Sequence, residues 1–243
     1  MLRFVCTPIG NLADMPPRAI QVLREADVIA CEDTRRTRAL LTHFDIPRPA
    51  DLVSYRDPHE ARTAEYLMTK LDAGLDVAIC TDGGAPGVSD PGYRIARLAA
   101  KAGYPMEAIP GASAVTTALM VSGLPYASFT FKGFPPRKAG GLRRFFADEA
   151  ARAHTIVYFE SPYRVGKSLA AACEVLGDRE AAVCIELTKI HERVSRGYLS
   201  DLANAFKDGK VRGEVTIVIA GNHPAFIRDD CHSEKGVSAE AET

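Results

Sequence analysis

The sequence lacks several patterns that would assign a protein quickly to a class. It has no GxxxxGK(S/T) stretch, which excludes a P-loop nucleotidase, and no GxGxxG after its first apolar run, so the usual dinucleotide or methyltransferase fingerprint is absent. No apolar run reaches the roughly 18 residues of a membrane span, and the N-terminal MLRFVCTPIG is too short for a signal peptide. The formal net charge of -1 excludes a uniformly basic nucleic-acid binder but permits local basic patches. The expectation is a cytoplasmic protein without membrane contact.

Metal-binding patterns are also missing. The six cysteines are scattered without a CxxC pair, and four of them lie in apolar, strand-like runs, as buried thiols of a reducing cytosol usually do. No histidine pair has the spacing of zinc ligands. Cys231 and His232, with His223 nearby, form the one cluster, and it lies in a polar segment. We therefore predict no metal site.

Short apolar runs alternate with helical patterns in the first half of the chain. The runs LRFVC, DVIAC, DLVSY, DVAIC and PMEAI predict five strands, and amphipathic segments between them predict helices, one of them capped by Thr34 and another ending at Gly103. Such alternation indicates a mainly parallel sheet with helices on both faces.

The rhythm changes at SGLPYASFTFKGFPPRKAGG, which suggests a domain boundary. We predict an N-terminal α/β domain at 1–123 and a C-terminal α/β domain at 124–221. Because an antiparallel pair is expected among the last elements, the second sheet should be mixed. Residues 222–243 are polar and aperiodic and predict a disordered tail.

Four loops that follow strands concentrate glycine, proline and polar residues: TPIGN (7–11), CEDTRRT (31–37), TDGGAPGVSDPG (81–92) and PGASA (110–114). In a parallel sheet such loops share the carboxyl edge, where α/β proteins bind ligands. Asp82 could accept hydrogen bonds from a ribose or an ammonium group, while Gly83 and Gly84 would let a ligand lie against bare backbone. Ser113 could contact a ligand or simply cap the helix that follows.

Six motifs occur in one order: TPIGNLADM, TDGGAPGVSDPG, PGASAVTTALMVSGLP, KGFPPRK, YFESPYR and ELTKIHE. Together they resemble the ribosomal small-subunit methyltransferase I family of the tetrapyrrole methylase superfamily, from about Phe4 to Gly221. The resemblance implies S-adenosyl-L-methionine as cofactor, bound in a cleft between two α/β domains. It also implies 2′-O-methylation of a cytidine ribose in the decoding region of small-subunit rRNA, by a homodimer that acts on the assembled subunit.

The resemblance also implies a set of cofactor-binding residues: Pro8, Gly10, Asp82, Gly83, Gly84, Ala85, Val88, Ser113, Ala114, Phe159 and Leu187. The family commonly has Ser, Ala and Thr where this chain has Thr81, Gly83 and Ala85, and His where it has Tyr163. A bulky side chain at Gly83 is expected to abolish cofactor binding while leaving the fold intact.

The segment FKGFPPRKAGGLRRF carries five cations and no acid, interleaved with Phe131, Phe134 and Phe145. Such a segment could bind RNA phosphates and stack bases, although a solvated loop and helix face is the alternative. A second basic group begins at Arg35. The predicted substrate-binding residues are Arg35, Lys132, Arg137, Lys138, Arg143, Arg144 and Arg164.

A ribose hydroxyl is a poor nucleophile and gains from a base or a nearby cation. The candidates are Asp33, Glu160 and Lys189, with Glu192 as a further one. Glu160 could instead pair with Arg164, and Lys189 with Glu192, so catalysis by positioning alone stays open.

Two other functions remain possible at this point. One is methylation of a tetrapyrrole or another small molecule, against which the basic, aromatic segment argues. The other is a non-catalytic RNA-binding or ribosome-assembly protein on the same fold, against which the glycine-rich loop argues.

Overall fold

The structure is a computed structural model that describes residues 1–56, 58–209 and 211–228. The chain divides into two compact units. The first holds Met1–Val121 together with Ile185–Arg193, and the second holds Ser122–Cys184 and the described residues from Val194 onward. A single boundary at 123/124, as the sequence suggests, leaves out the return of Ile185–Arg193 to the first unit.

Strands and helices alternate through both units. The strands are β1 (Leu2–Val5), β2 (Val28–Cys31), β3 (Asp51–Ser54), β4 (Val77–Cys80), β5 (Met106–Ile109), β6 (Phe129–Phe131), β7 (Thr155–Glu160), β8 (Glu180–Ile185), β9 (Arg193–Tyr198) and β10 (Val215–Ile219). The helices are α1 (Pro17–Glu25), α2 (Thr34–His43), α3 (Glu60–Asp72), α4 (Tyr93–Ala102), α5 (Ala114–Ser122), α6 (Ala139–Ala147), α7 (Val165–Leu176) and α8 (Leu199–Ala205).

The sheet of the first unit is parallel, in the order β3-β2-β4-β1-β5. Its central strands β2 and β4 are buried along their whole length, which explains why VIAC and VAIC are continuous apolar runs rather than alternating ones. The register places Cys31 beside Cys80, so the loops after these two strands start side by side. The predicted parallel sheet is confirmed.

Helices cover both faces of this sheet. One face packs Val5 and Ile29 against Val22 and Leu23 of α1 and against Leu41 of α2. The opposite face packs strand residues against buried side chains of α3 and α4: Ala64, Leu67, Leu71, Ile95 and Ala99. Because two apolar layers enclose the central strands β2 and β4, the loops at the carboxyl ends become the chemically varied surface.

The cap of α2 differs from the prediction. The helix begins at Thr34, but the capping side chain is that of Asp33, which accepts a hydrogen bond from the backbone N–H of Arg35 at 2.8 Å. A carboxylate at this position satisfies an otherwise unpaired N–H group and favours the positive end of the helix dipole. Asp33 is therefore occupied by a structural role at the start of α2.

The sheet of the second unit has the order β6-β7-β10-β8-β9. Strands β6 and β7 run parallel, whereas β7 and β10 run antiparallel, so the predicted mixed sheet is confirmed. The segment that the sequence marked only as a change of rhythm contains β6 and α6. Their pattern is hard to read because β6 is three residues long and glycines open α6.

Arg179 is a buried arginine at the centre of the second unit, with 2% of its surface exposed. Its guanidinium donates to the carbonyls of Leu176 at 2.9 Å, Ala150 at 2.6 Å and Ala220 at 3.5 Å. Desolvation lowers the pKa of this group below its usual value. One side chain thus joins the end of α7, the end of β10 and the turn after α6.

We expect Arg179→Met to lower the free energy of unfolding by roughly 3 kcal/mol, because three buried carbonyls lose their donor. Urea unfolding followed by circular dichroism measures the change. Arg24→Met, at an exposed position of α1, is the matched control and should unfold like the wild type. Equal midpoints for the two variants would contradict the central role of Arg179.

Three predictions concern the ends and the surroundings of these units. The tail predicted to be disordered spans residues 222–243. Its part from residue 229 onward, which includes Cys231 and His232, lies outside the described residues. Residues before that point are placed, since Asn222 N–H donates to the Arg152 carbonyl at 2.7 Å. Among the described residues, no helix is both long and apolar enough to cross a membrane.

Candidate functional site

The four polar loops of the first unit meet at the carboxyl edge of its sheet. Thr7 and Gly84 exchange two backbone hydrogen bonds, of 3.0 and 2.9 Å, which join the loop after β1 to the loop after β4. The Thr7 hydroxyl adds a third, donated to the Thr81 carbonyl at 3.1 Å. The loop after β2 joins them through Asp33, whose N–H donates to Asp82 Oδ1 at 3.1 Å.

Gly83 and Gly84 are favoured for different reasons, Gly83 by close packing of two loops and Gly84 by its backbone conformation. A Cβ atom at Gly83 would lie 3.2 Å from the Pro8 carbonyl oxygen and 3.5 Å from Ile9 Cα. Gly84 has φ +90°, a backbone conformation that side chains disfavour. A bulky residue at Gly83 would push its added atoms against the backbone of the first loop, so we expect some loss of stability beside the predicted loss of cofactor binding.

Asp82 is held in place from two sides. Its Oδ1 atom accepts from Asp33 N–H, and its Oδ2 atom lies 3.3 Å from Arg36 Nη1. The side chain keeps 20% of its surface exposed, and a carboxylate has acceptor sites beyond these two contacts. Asp82 is thus a fixed acceptor at the mouth of the loop.

The pKa values of the two acids after β2, Glu32 and Asp33, are shifted in opposite directions. Burial, and next the charge of Asp82, raise the pKa of Glu32. The Arg35 side chain and N–H, by hydrogen bonding, hold the pKa of Asp33 far below its usual value. A carboxylate with so low a pKa is a weak general base. The low pKa and the bonds to Arg35 therefore argue against the catalytic role suggested for Asp33. Arg35, a candidate for RNA contact, is 83% exposed and binds the same carboxylate.

The loop after β5 packs against the first loop in the same way. A Cβ atom at Gly111 would lie 2.8 Å from Cys6 Cβ, so only glycine permits this approach. Helix α5 starts directly after Ser113, whose carbonyl accepts from Thr117 N–H at 3.0 Å. Ser113 and Ala114 therefore stand at the positive end of a helix on the shared edge.

The segment Ile185–Arg193 completes this edge from a distant part of the chain. Asn11 N–H donates to Thr188 Oγ1 at 3.1 Å, and a Cβ atom at Gly10 would lie 2.3 Å from Lys189 Cγ. Two residues without a glycine's freedom, Glu186 and Thr188, adopt φ of 52° and 66°. Such backbone strain persists where the surroundings enforce it, and it often marks functional loops. The positive φ values leave no signal in the sequence.

The ion pair of Lys189 is formed within this segment. Its Nζ atom donates to Glu186 Oε1 at 2.7 Å, while Glu192 Oε2 accepts from Thr188 N–H at 2.6 Å. The partner suggested from sequence was Glu192, so the contact with Glu186 is a correction. Glu192 thus braces the strained turn at Thr188, and Glu186 holds the ammonium of Lys189.

The other predicted cofactor residues fall in two places. Pro8 and Leu187 are buried in the first unit, whereas Ala85 is partly and Val88 more fully exposed on the glycine-rich loop. Phe159 belongs to the second unit, in β7, where its ring lies 4.9 Å from that of Phe131.

Two of the five cations in the basic segment of the second unit form ion pairs, which its sequence does not suggest. Lys132 Nζ donates to the Phe145 carbonyl at 2.6 Å, lies 3.3 Å from Glu149 Oε1 and sits over the Phe145 ring. With 15% of its side chain exposed, Lys132 does not suit the predicted contact with phosphate. Arg143 pairs with Glu174 at 2.9 Å. The compensating acids come from elsewhere in the chain.

Three cations of this segment remain in solvent. Arg137, Lys138 and Arg144 are exposed, and no acid of the described ranges pairs with them within 4.0 Å. Of the three interleaved aromatic residues, Phe145 is buried and Phe134 is 62% exposed. The free charge and the free ring thus lie close together along the chain, on the loop before α6 and on α6 itself.

Glu160 and Arg164 form the ion pair suggested as the alternative to a catalytic role. Arg164 Nη1 lies 3.4 Å from Glu160 Oε1, and the Glu160 side chain is fully buried. The same guanidinium donates to the carbonyls of Pro135 at 3.3 Å and Pro136 at 2.8 Å. Arg164, predicted to contact RNA, is thereby engaged inside the unit.

The edge of the first unit suits S-adenosyl-L-methionine, which carries a ribose, an ammonium group and a carboxylate. Asp82 offers a fixed acceptor, and the glycine-rich turn exposes main-chain groups around it. The Thr81 hydroxyl, at the start of this turn, is buried and has no partner among the described residues. Buried hydroxyls are normally satisfied, so a ligand or a water molecule fits there.

Comparison with known proteins identifies the class. Residues 1–203 match the family model of the Tetrapyrrole (Corrin/Porphyrin) Methylases. The solved structure of a cobalt precorrin-4 methyltransferase has 18% identity and a TM-score of 0.66, covering 90% of this chain and 94% of its own. For a diphthine synthase the values are 17% and 0.66, with 90% and 89% covered. The chain has the fold of the tetrapyrrole methylases, as predicted.

Similarity to curated relatives identifies one family within the tetrapyrrole methylases. The ribosomal RNA small subunit methyltransferase I of Mycobacterium tuberculosis is 45% identical over 219 residues, 90% of this chain and 76% of the relative. Its namesake from Thermotoga maritima is 40% identical over 90% of this chain and 98% of the relative. The chain therefore belongs to the ribosomal RNA small subunit methyltransferase I family within the tetrapyrrole methylases. Members of this family use S-adenosyl-L-methionine, which confirms the predicted cofactor.

Proposed function

We propose that this protein transfers the methyl group of S-adenosyl-L-methionine to the 2′-hydroxyl of a cytidine in the decoding region of small-subunit rRNA. The observation that carries the proposal is the joining of five loops at one sheet edge of the first unit. The second unit separately carries exposed cations and an exposed aromatic ring. The names of the curated relatives support rRNA as substrate. The cytidine and its ribose position follow from the motif resemblance.

The first unit supplies the cofactor surface. Bound S-adenosyl-L-methionine provides an electrophilic methyl group on a sulfonium centre. We propose that Asp82 accepts hydrogen bonds from its ribose or ammonium group, and that main-chain groups of Gly83 to Val88 contact it together with Ser113 and Ala114. Because hydrogen bonds between the loops fix these groups beforehand, little order has to be gained on binding.

Alignment of the ribose hydroxyl supplies much of the rate in this proposal. Methyl transfer is an in-line displacement, so holding the two reacting atoms in line lowers the barrier. Of the three catalytic candidates, Asp33 is a weak base and Glu160 is buried beside Arg164. Lys189 is the candidate that lies against a predicted cofactor loop, and its ammonium could stabilise the developing alkoxide.

The second unit supplies RNA contacts through Arg137, Lys138 and Arg144. Three exposed cations that pair with no acid among the described residues are readily explained if they meet phosphates. A small tetrapyrrole would not need them, which disfavours the small-molecule alternative. The cofactor surface disfavours a purely structural RNA-binding protein. Homodimer formation and a preference for the assembled small subunit remain parts of the proposal.

Incubation with radiolabelled S-adenosyl-L-methionine tests the proposal. We expect label in the rRNA of intact small subunits, poor labelling of short oligonucleotides, and none in a small-molecule extract. A 2′-O-methyl group blocks alkaline cleavage of the adjacent phosphodiester, so the label should appear in an alkali-resistant dinucleotide that begins with cytidine. Label in alkali-sensitive nucleotides or in a small molecule would refute the proposed position or substrate.

A further inference from the structure

Phe134 is an aromatic ring that the protein holds out in solvent on a rigid support. Its exposed fraction is 62%, although its ring lies 5.4 Å from that of Phe159, measured between centroids. The Phe159 ring in turn packs against the ring of Phe131, with 4.9 Å between centroids. Most of the Phe134 side chain is thus exposed, while one part of it packs against Phe159.

The backbone on both sides of Phe134 is fixed. Before it, the Gly133 carbonyl accepts from Phe159 N–H at 2.9 Å, and Gly133 turns the chain with φ +63°. After it, the carbonyls of Pro135 and Pro136 accept from Arg164. Two consecutive prolines stiffen the loop further, because each ring fixes its own φ.

A buried carboxylate anchors the arginine that holds this loop. Glu160 Oε1 accepts from Ser161 N–H at 2.8 Å and pairs with Arg164. Its Oε2 atom is buried without a partner in the described part of the chain. Burying a charge in this way is costly, so the arrangement indicates a purpose beyond packing. The pair fixes the guanidinium that joins the end of β7 to the loop of Phe134.

We propose that Phe134 is a stacking platform for an unpaired nucleobase of the RNA, and that Glu160 and Arg164 are positioning residues that hold it. This inference rests on the proposed function and extends it by naming a base contact. The neighbouring cations Arg137 and Lys138 select a polyanion as the partner, and unstacked RNA bases bind preferentially to exposed aromatic faces. Because the ring is already fixed, stacking costs little conformational entropy.

The absence of tryptophan from the sequence allows a direct test. Phe134→Trp introduces a single tryptophan at the platform, whose fluorescence can be excited selectively over that of the tyrosines. Tyr126→Trp is the control, at a 55% exposed position of the same unit. Both variants are titrated with protein-free small-subunit rRNA. We expect strong quenching of the tryptophan at position 134. At position 126 we expect only the loss of fluorescence that arises in both variants because the RNA absorbs exciting light. Equal losses overturn the inference, as does quenching at 134 by S-adenosyl-L-methionine alone, which would assign the ring to the cofactor.

Binding measurements separate the ring from its support. Phe134→Leu should weaken rRNA binding about tenfold, whereas Phe134→Tyr should bind like the wild type. Arg164→Lys keeps the charge but cannot reach all three acceptors, and it should weaken binding too. Its effect should shrink in the Phe134→Leu background if it acts through the ring. Full additivity would refute the positioning role.

The same experiments distinguish this inference from the proposed function. If the wild type methylates small-subunit rRNA but the tryptophan at 134 behaves like the control, the stacking inference fails alone. If the wild type methylates neither intact small subunits nor their protein-free rRNA, the proposed function fails and the inference falls with it.

Discussion

Gly83→Val is expected to abolish binding of S-adenosyl-L-methionine. The first added carbon would already lie 3.2 Å from the Pro8 carbonyl oxygen and 3.5 Å from Ile9 Cα, and valine adds two methyl groups to it. The loop after β1 must then move, and the paired hydrogen bonds between Thr7 and Gly84 are strained. Because both loops belong to the proposed cofactor surface, we expect that surface to be lost. Overpacking of this kind should also lower the free energy of unfolding by about 1–3 kcal/mol.

Isothermal titration calorimetry with S-adenosyl-L-methionine measures the effect. Gly83→Ala should bind with reduced affinity, because a displacement of a few tenths of an ångström accommodates one carbon. Gly140→Val is the control, since a Cβ atom there meets no atom within 4 Å. Wild-type affinity in Gly83→Val would show that the cofactor binds elsewhere.

Replacing Arg137, Lys138 and Arg144 together by alanine should flatten the salt dependence of RNA binding. Each phosphate contact contributes about 0.7 to 0.9 to the slope of log affinity against log salt, so three lost contacts reduce the slope by roughly 2. Affinity at low salt should fall accordingly. The affinity for S-adenosyl-L-methionine should not change, because none of these three residues belongs to the proposed cofactor surface.

The control for this variant comes from the same helix. Arg143 is exposed like Arg144 but pairs with Glu174, so Arg143→Ala should change the slope less. The sequence alone would have grouped Arg143 with Arg144. Filter-binding titrations at several salt concentrations compare the three proteins, with circular dichroism as a check of folding. Identical slopes for the wild type and the triple variant would show that these cations form a solvated surface and do not bind RNA.

The sequence predicts the fold of the first unit well because its strands are continuous apolar runs between amphipathic helices. It fails where the pattern is short or where contacts are distant. Strand β6 is too brief to show a period, and the cap of α2 is Asp33 rather than the neighbouring Thr34. The cap is a local choice between two neighbouring residues that suit the position almost equally.

For the site, the sequence finds the loops but not their internal partners. Lys132 looks like part of a free basic run, yet Glu149 neutralises it from 17 positions further along the chain. Glycines at 10, 83 and 111 are readily assigned to a ligand, but each is also required where two loops touch. Whether a charge is free or paired depends on tertiary contacts that no local pattern records.

The segment Ile185–Arg193 has a consequence for how the protein is made. Its contact with the first loop joins Asn11 to Thr188, 177 positions apart. During synthesis from the N-terminus, the first unit therefore remains incomplete until most of the chain has left the ribosome. A fragment that stops at residue 121 would lack the lysine that packs on Gly10. A chain cleaved between the two units would likewise lose part of the first one, so the enzyme must mature as a whole.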